Sequence, residues 1–428
     1  MKGKDGTDTI IALDFAGSGI RAVAAEVLED NSVRIFSDEF RKTEGVKYGI
    51  IEQPSGVAFN VTSVIKELIN SSKITNPVKY FSSALGGRTM KIIQASYTLK
   101  LNKNKPIDKK ILDTLATECE KAYDVENMMV YSTIPVSYMV DKQAVGDPIG
   151  MVGAELAGNF NLVIGNAVIK QKYHKLMERI ASYQIESLPL AAEAFALVVA
   201  EEEDRNEGCA VIDLGHSTST LIIYQGEVMQ YLRVLPFGGN NLTMDIMSLG
   251  LSEANSEKLK CKYGVAMEDQ VENVLKVLIP SDERDKPGKH IKNTELAMVI
   301  EARLDEMFHP FFNILKKFEA QIPRGIIISG GAAKLNKIKE YFENRTGLPV
   351  RFGDHSGWLT EDTPLKYLDL SYAQIIGNVV LANEFRIENK NNKVIEPKEV
   401  KKAKSSISEW ISQGFFKFFN EDTDLKKE

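Results

Sequence analysis

A strand that ends in an aspartate, a turn of small residues and a second strand are written twice in this chain of 428 residues. The first copy is "TIIALDFAGSGIRAVAAEV" at 9–27 and the second is "GCAVIDLGHSTSTLIIYQGE" at 208–227. In each, a β-branched run reaches Asp14 or Asp213, passes through small residues and returns as another apolar run. A third strand-like stretch follows each copy, "SVRIFSDEF" and "EVMQYLRVLPF". Apolar runs broken by small residues predict hairpins. Their repetition at long range predicts two halves of like fold.

Tight turns of small residues present backbone N–H groups and hydroxyls to a cleft and can cradle phosphate oxygens. Aspartates at strand ends can hold Mg²⁺ through its water shell, because that cation sheds water reluctantly. Either segment alone would equally make an ordinary hairpin whose small residues serve turn geometry; the duplication favours the cleft. A third element follows in "GIIISGGAAKLNKIKEYFENRTGLPV" at 325–350. It reads as an apolar strand, then Ser329, Gly330, Gly331 and Ala332, then an amphipathic helix from about Leu335 to Asn344. A Gly-Gly turn at a helix start allows close approach to the backbone.

The three elements in this order resemble the actin-like ATPase superfamily. That resemblance implies a duplicated α/β, ribonuclease-H-like fold with ATP and Mg²⁺ between the halves. The first phosphate loop would hold Asp14, Gly17, Ser18, Gly19 and Arg21, and the second Asp213, Gly215, His216, Ser217 and Thr218. Gly330, Gly331 and Ala332 would form the adenosine loop, and Asp14 and Asp213 would serve the metal. Connecting helices are expected in "LPLAAEAFALVVAEE" (188–202) and "SYAQIIGNVVLANEF" (371–385), where Ala373 and Gly377 would permit a close crossing.

Within that superfamily the chain resembles the bacterial cell-division FtsA proteins over nearly its whole length. "TIPVSYMVDKQAVGDPIGMVGAELAGNFNLVIG" (133–165), "LPFGGNNLTMDI" (235–246) and "SEKLKCKYG" (256–264) carry the resemblance. It implies that Gly239 and Asn240 turn toward the nucleotide and that Glu257 and Lys260 reach ribose and adenine. Those two lie three apart, on one helix face. The implied organisation is subdomain 1A from 1–78, 159–207 and 370–386, with an inserted α+β subdomain 1C at 79–158. Subdomain 2A comes from 208–240 and 322–369, 2B from 241–321, a linker from 387–404 and an amphipathic helix from 405–420.

Some residues depart from the family pattern. Ala16 and Gly19 stand where Gly and often Lys are found, with Arg21 as the substitute base; His216 and Ser217 replace two glycines, and Thr220 a common acid. Leu188, before Pro189, occupies the place of a water-orienting glutamate in the chaperone branch. Hydrolysis needs a group that orients the attacking water, so the expectation is ATP binding with at most very slow turnover.

The net charge of −6 argues against nucleic acid as a partner, since phosphate backbones need a basic face. Three scattered cysteines suit a reducing compartment, and the amino-terminal stretch has no apolar core of a secretion signal. The last residues are the greasiest. After a lysine-rich stretch that reads as a disordered linker, Ile407, Trp410, Ile411, Phe415, Phe418 and Phe419 recur on one helical face. Such a helix suits lying flat in a membrane interface, as FtsA tails do. The resemblance implies filaments, FtsZ's C-terminal peptide docked on 2B, other division proteins as partners, and a place at the division site on the cytoplasmic face of the inner membrane. Alternatives on the same fold are a PilM-like pilus-assembly platform and a phosphotransferase of the sugar-kinase branch.

Overall fold

The computed structural model describes residues 9–394, apart from 73, 75–77, 79, 103, 181–182, 184 and 280–287. The first half opens with β1 (Ile10–Ala16), β2 (Gly19–Val27) and β3 (Val33–Arg41). A small hairpin of β4 (Val46–Lys47) and β5 (Ile50–Ile51), then α1 (Pro54–Ser71) and β6 (Tyr80–Ser83) follow. Next come β7 (Lys91–Lys100), α2 (Lys109–Ala122), β8 (Met128–Val140), β9 (Gln143–Val145) and β10 (Glu155–Asn166). The chain continues through α3 (Val168–Arg179), β11 (Ile185–Ser187), α4 (Ala191–Val199) and α5 (Glu202–Glu207). The second half begins with β12 (Cys209–Leu214), β13 (Ser219–Gln225) and β14 (Val228–Leu235). A mostly helical unit follows, of α6 (Gly239–Met247), α7 (Glu253–Tyr263), β15 (Lys276–Ile279), β16 (Lys289–Lys292) and α8 (Asn293–Phe318). The last elements are β17 (Ile326–Ser329), α9 (Ile338–Thr346), β18 (Val350–Phe352) and α10 (Ala373–Val394).

The two halves repeat one topology. In the first, β1 pairs antiparallel with β2 and parallel with β6, in the order β11-β6-β1-β2-β3. In the second, β12 pairs antiparallel with β13 and parallel with β17. The β1–β2 register closes at Ala16↔Gly19 and the β12–β13 register at Leu214↔Ser219. Asp14 thus sits opposite Arg21, and Asp213 opposite Thr220. Strands buried on both faces read as unbroken apolar runs, as in Ile10–Leu13 and Ile326–Ile328, all at 0% exposure.

β6 belongs to the first half's sheet, which corrects the expected insertion boundary. "KYFSSALGG" supplies a parallel strand beside β1, so the insertion starts after Ser83 and its last strand runs to Asn166 rather than ending at 158. Parallel pairing is a long-range contact that a local reading of an apolar run does not reveal. The inserted unit has its own core, where Leu112, Leu115 and Cys119 of α2 meet Leu156, Phe160 and Leu162 of β10. Asp108 caps α2 by accepting from the Ile111 N–H at 2.9 Å. One residue pair, Arg233↔Lys91, continues the second half's sheet into the insertion.

Three further expectations shift. The first connecting helix is Ala191–Val199, shorter than 188–202. After the Gly-Gly turn the chain makes a 3₁₀ turn at Gly331–Lys334 before α9 begins at Ile338, later than Leu335. α10 continues to Val394, so the first part of the expected linker (387–404) is helical. Ile387 and Val394 are the only large apolar residues in 387–394, and the helix there continues from its packed first turns, which nucleate it. The amphipathic tail at 405–420, with Ile407, Trp410, Ile411, Phe415, Phe418 and Phe419, lies outside the described residues.

α4 and α10 cross where both halves meet. A Cβ at Gly377 would lie 1.7 Å from the Ala194 carbonyl oxygen, so only glycine permits this approach. Ile375, Ile376, Val379 and Val380 of α10 are buried around it. Each such side chain contributes about 1.5–3 kcal/mol by leaving water.

Candidate nucleotide cleft

A cleft of about 920 Å³ opens between the two sheets. The ends of β1 and β12 supply Asp14 and Asp213, and the two turns face each other across it. The first turn lends Gly17, Ser18 and Gly19, with Arg21 just beyond; the second lends Gly215, His216, Ser217 and Thr218. Gly330, Gly331 and Ala332 close one side, and Gly239, Glu257 and Lys260 another. A Cβ on Gly17 would come within 2.1 Å of Ser217 Oγ, and one on Gly330 within 2.3 Å of Asp213 Oδ1. Gly330 also holds φ at +94°, a conformation that side chains resist. The glycines are therefore a steric condition for the turns to approach one another.

One expected residue takes another position, and a second is already engaged. Asn240 does not line the cleft; its backbone N–H donates to the His216 carbonyl at 2.8 Å, and the Gly239 N–H to the Gly215 carbonyl at 3.0 Å. The start of α6 thereby fixes the second turn, since its unpaired N–H groups find loop carbonyls as acceptors. Arg21 lines the cleft, as expected, but its guanidinium already has partners in the chain. It donates to the Ser371 carbonyl at 2.9 Å and lies 4.2 Å from the Tyr372 ring centroid. These partners lie 350 positions along the chain or more.

Glu257 and Lys260 meet as their spacing on α7 predicts, at 2.7 Å. Lys260 Nζ also donates to the Gly239 carbonyl and to Thr243 Oγ1, each at 2.8 Å, and Thr243 donates to Glu257. Burial alone would raise Glu257, but hydrogen bonds from Lys260 and Thr243 outweigh it and hold the carboxyl below its ordinary value. Burial and then the Lys260 charge keep His216 below the usual imidazole value.

The aspartates carry the main electrostatic load. Burial, and then the charge of Asp14, push Asp213 up to about 7. Burial also raises Asp14, against the Arg21 charge and a hydrogen bond from Gln374. Two buried carboxylates that raise one another's charge cost form a pair of oxygen donors that suits a hard cation. The turns, with their glycine cradle and the buried, unpartnered Ser217 Oγ, fit an anion with several oxygens. Residues not expected here include Gln374, Ser371 and Lys334. Gln374 had a legible signal, since it and Asn378 are polar at i and i+4 within the otherwise apolar stretch 373–382.

Models of two families match the chain: Cell division protein FtsA over residues 210–377, and the SHS2 domain inserted in FTSA over residues 87–164. Together they span more than half of it. Cell division protein FtsA of Neisseria meningitidis is 27% identical over 80% of this chain and 83% of its own length. Among solved structures, the PilM-PilN type IV pilus biogenesis complex superposes with a TM-score of 0.62 at 16% identity, covering 87% of this chain and 98% of the other. MreB 5 of Spiroplasma citri bound to AMPPNP gives 0.53 at 13% identity, covering 90% and 99%. At such identities these likenesses show the actin-like fold alone, whereas the two family models lie on the insertion and on the second half of the chain: the chain belongs to the FtsA family of actin-like cell-division proteins.

Proposed function

We propose that this chain is a nucleotide-dependent scaffold that binds ATP with Mg²⁺, assembles into filaments, and ties FtsZ to the inner membrane through its C-terminal helix. The observation that carries the reading is the pair of facing turns, each at the end of a strand bearing an aspartate, in a chain of the FtsA family. The turns at Gly17–Gly19 and Gly215–Thr218 would hold phosphate oxygens. Asp14 and Asp213 would hold the cation through its water shell, and Glu257, Lys260 and Gly330–Ala332 would flank ribose and base. The AMPPNP-bound MreB neighbour is consistent with this choice of ligand. The cation neutralises phosphate charge when bound. No carboxylate is placed at Leu188, which is buried, so turnover is expected below the roughly 1–1000 per second of ordinary enzymes.

In this reading the insertion and the unit of α6, α7, α8 and the β15–β16 hairpin are the contact subdomains, the latter receiving the FtsZ C-terminal peptide. The tail lies flat on the cytoplasmic face of the inner membrane at the division site, where other division proteins join. The test is calorimetry of ATP with and without Mg²⁺, together with co-sedimentation of FtsZ on liposomes carrying the full chain. ATP binding that is strengthened by Mg²⁺, and FtsZ pelleting that depends on this chain, are the expected results. Absence of ATP binding at millimolar nucleotide overturns the cleft assignment.

A further inference from the structure

Gln374 opens α10 and lines the cleft. Its Nε2 donates to Asp14 Oδ1 at 2.9 Å. A carboxylate only accepts, so the amide nitrogen must face Asp14 and the amide oxygen faces away from it. That oxygen makes no hydrogen bond to the described residues. One turn further along, Asn378 is 1% exposed and donates to the Leu13 carbonyl at 3.3 Å, while accepting from Ser82 Oγ at 2.6 Å. Two polar side chains at i and i+4 in the apolar first turns of α10 thus bind consecutive residues of β1. The preceding residues are anchored as well. Tyr372 Oη donates to Asp38 at 2.7 Å, and the Ser371 carbonyl accepts from Arg21. Gln374 therefore has little freedom to leave Asp14.

We propose that Gln374 is a positioning residue of the cation site: it fixes the orientation of the Asp14 carboxylate and turns its own amide oxygen toward the cation's water shell. The idea rests on the proposed nucleotide and Mg²⁺ reading of the cleft. Mg²⁺ retains several waters when bound, and those waters need acceptors held in place. Two carboxylates supply part of the set, and an amide oxygen adds an acceptor without adding a third negative charge beside them. Groups that orient metal-binding side chains typically change metal affinity by 10–100-fold when removed.

The test compares the full-length wild type with Q374M and Q374E by calorimetry of ATP, with EDTA and with Mg²⁺. Methionine keeps the length and volume and removes the amide. Q374M is expected to bind Mg²⁺-free ATP within about twofold of wild type while the Mg²⁺-dependent gain falls about tenfold. Q374E is expected to weaken Mg²⁺-free ATP binding more than Q374M does, because it adds a third carboxylate that only a bound cation offsets. A Q374M chain with an undiminished Mg²⁺-dependent gain overturns the proposal. So does one that loses Mg²⁺-free binding to the same extent, since that is the mark of a packing role alone. A wild type that binds no ATP overturns the cleft reading itself and this proposal with it, an outcome distinct from both.

Discussion

Replacing Gly377 by alanine probes the crossing on which the cleft depends. Two effects oppose each other. Alanine in a helix interior is favoured over glycine by about 1 kcal/mol. Against that, the new Cβ would stand 1.7 Å from the Ala194 carbonyl oxygen, 2.5 Å from its carbon and 3.1 Å from its Cα. All three atoms are backbone of α4, so no side-chain rotation relieves the overlap and the helices must separate by more than about 1 Å. Overpacking a closed contact costs about 1–3 kcal/mol, occasionally more, and a clash with backbone belongs at the upper end. The net expectation is a loss of about 2 kcal/mol, or a fall in Tm of roughly 4–8 °C at the scaling for domains of this size. Gly357→Ala is the control, because a Cβ there meets nothing within 4 Å. Thermal unfolding followed by circular dichroism reads the stability, and calorimetry reads ATP affinity. Affinity should fall too, since Gln374 on α10 and Ala191 on α4 both line the cleft. A Gly377→Ala chain that melts at or above wild type, with unchanged affinity, would refute the claim that this contact sets the geometry.

Three further outcomes are open to direct measurement. With its carboxyl at about 7 in the folded chain and near 3.9 unfolded, Asp213 disfavours folding once ionised; the penalty is absent below the unfolded value, grows as pH rises and is complete above about 7. Without nucleotide and in EDTA, D213N should therefore gain Tm over wild type progressively from pH 5 to pH 8, and a gap that stays constant across that range would remove the facing-carboxylate argument. Glu193, also pushed to about 7 by burial and by Glu384, should contribute a slope of the same sign that E193Q removes. Deleting residues 405–428 should release the chain from liposomes and leave ATP binding intact, because six large apolar side chains at roughly 1.5–3 kcal/mol each would otherwise enter the interface. Flotation of the shortened chain with liposomes would sink the proposed anchor.

Local patterns foretold the hairpins because their determinants are local: an apolar run, an aspartate, then small residues. What escaped a local reading depends on distant partners. "FSSALGG" looks like the opening strand of the insertion, and only its parallel pairing with Ile10–Leu13 assigns it to the first sheet. It is the counterpart of "IIISGG" beside β12, so the duplication extends to an element that sequence similarity does not display. Arg21 looked free to meet a phosphate because Ser371 and Tyr372 are far along the chain. The stretch after Phe385 looked unstructured from its lysines and asparagines. Its helix is held at its base by Arg386, which bonds Asn383 and lies 5.3 Å from the Tyr80 ring centroid.

The fate of Arg21 bears on how the cleft would meet a nucleotide. Lys334, just after the Gly330–Gly331 turn, pairs with Asp369 at 3.0 Å, Asp369 accepts from Ser371 Oγ at 2.7 Å, and the Ser371 carbonyl accepts from Arg21. A continuous set of polar contacts thus links the Gly330–Ala332 side of the cleft to the Gly17–Gly19 side, and both cations in it already have partners. Lys260 is likewise paired with Glu257. Against these stand Asp14 and Asp213, whose charges repel. A bound triphosphate would therefore find its compensation mainly in backbone N–H groups of the two turns and in a divalent cation between it and the aspartates. Affinity for ATP should for that reason depend on Mg²⁺ more steeply than on ionic strength, because the screening of surface charges touches few of the groups that hold the ligand. Salt titration at fixed excess Mg²⁺ separates the two: a loss of affinity with salt as large as that caused by EDTA would mean that free side-chain cations, rather than the turns and the cation, carry the binding.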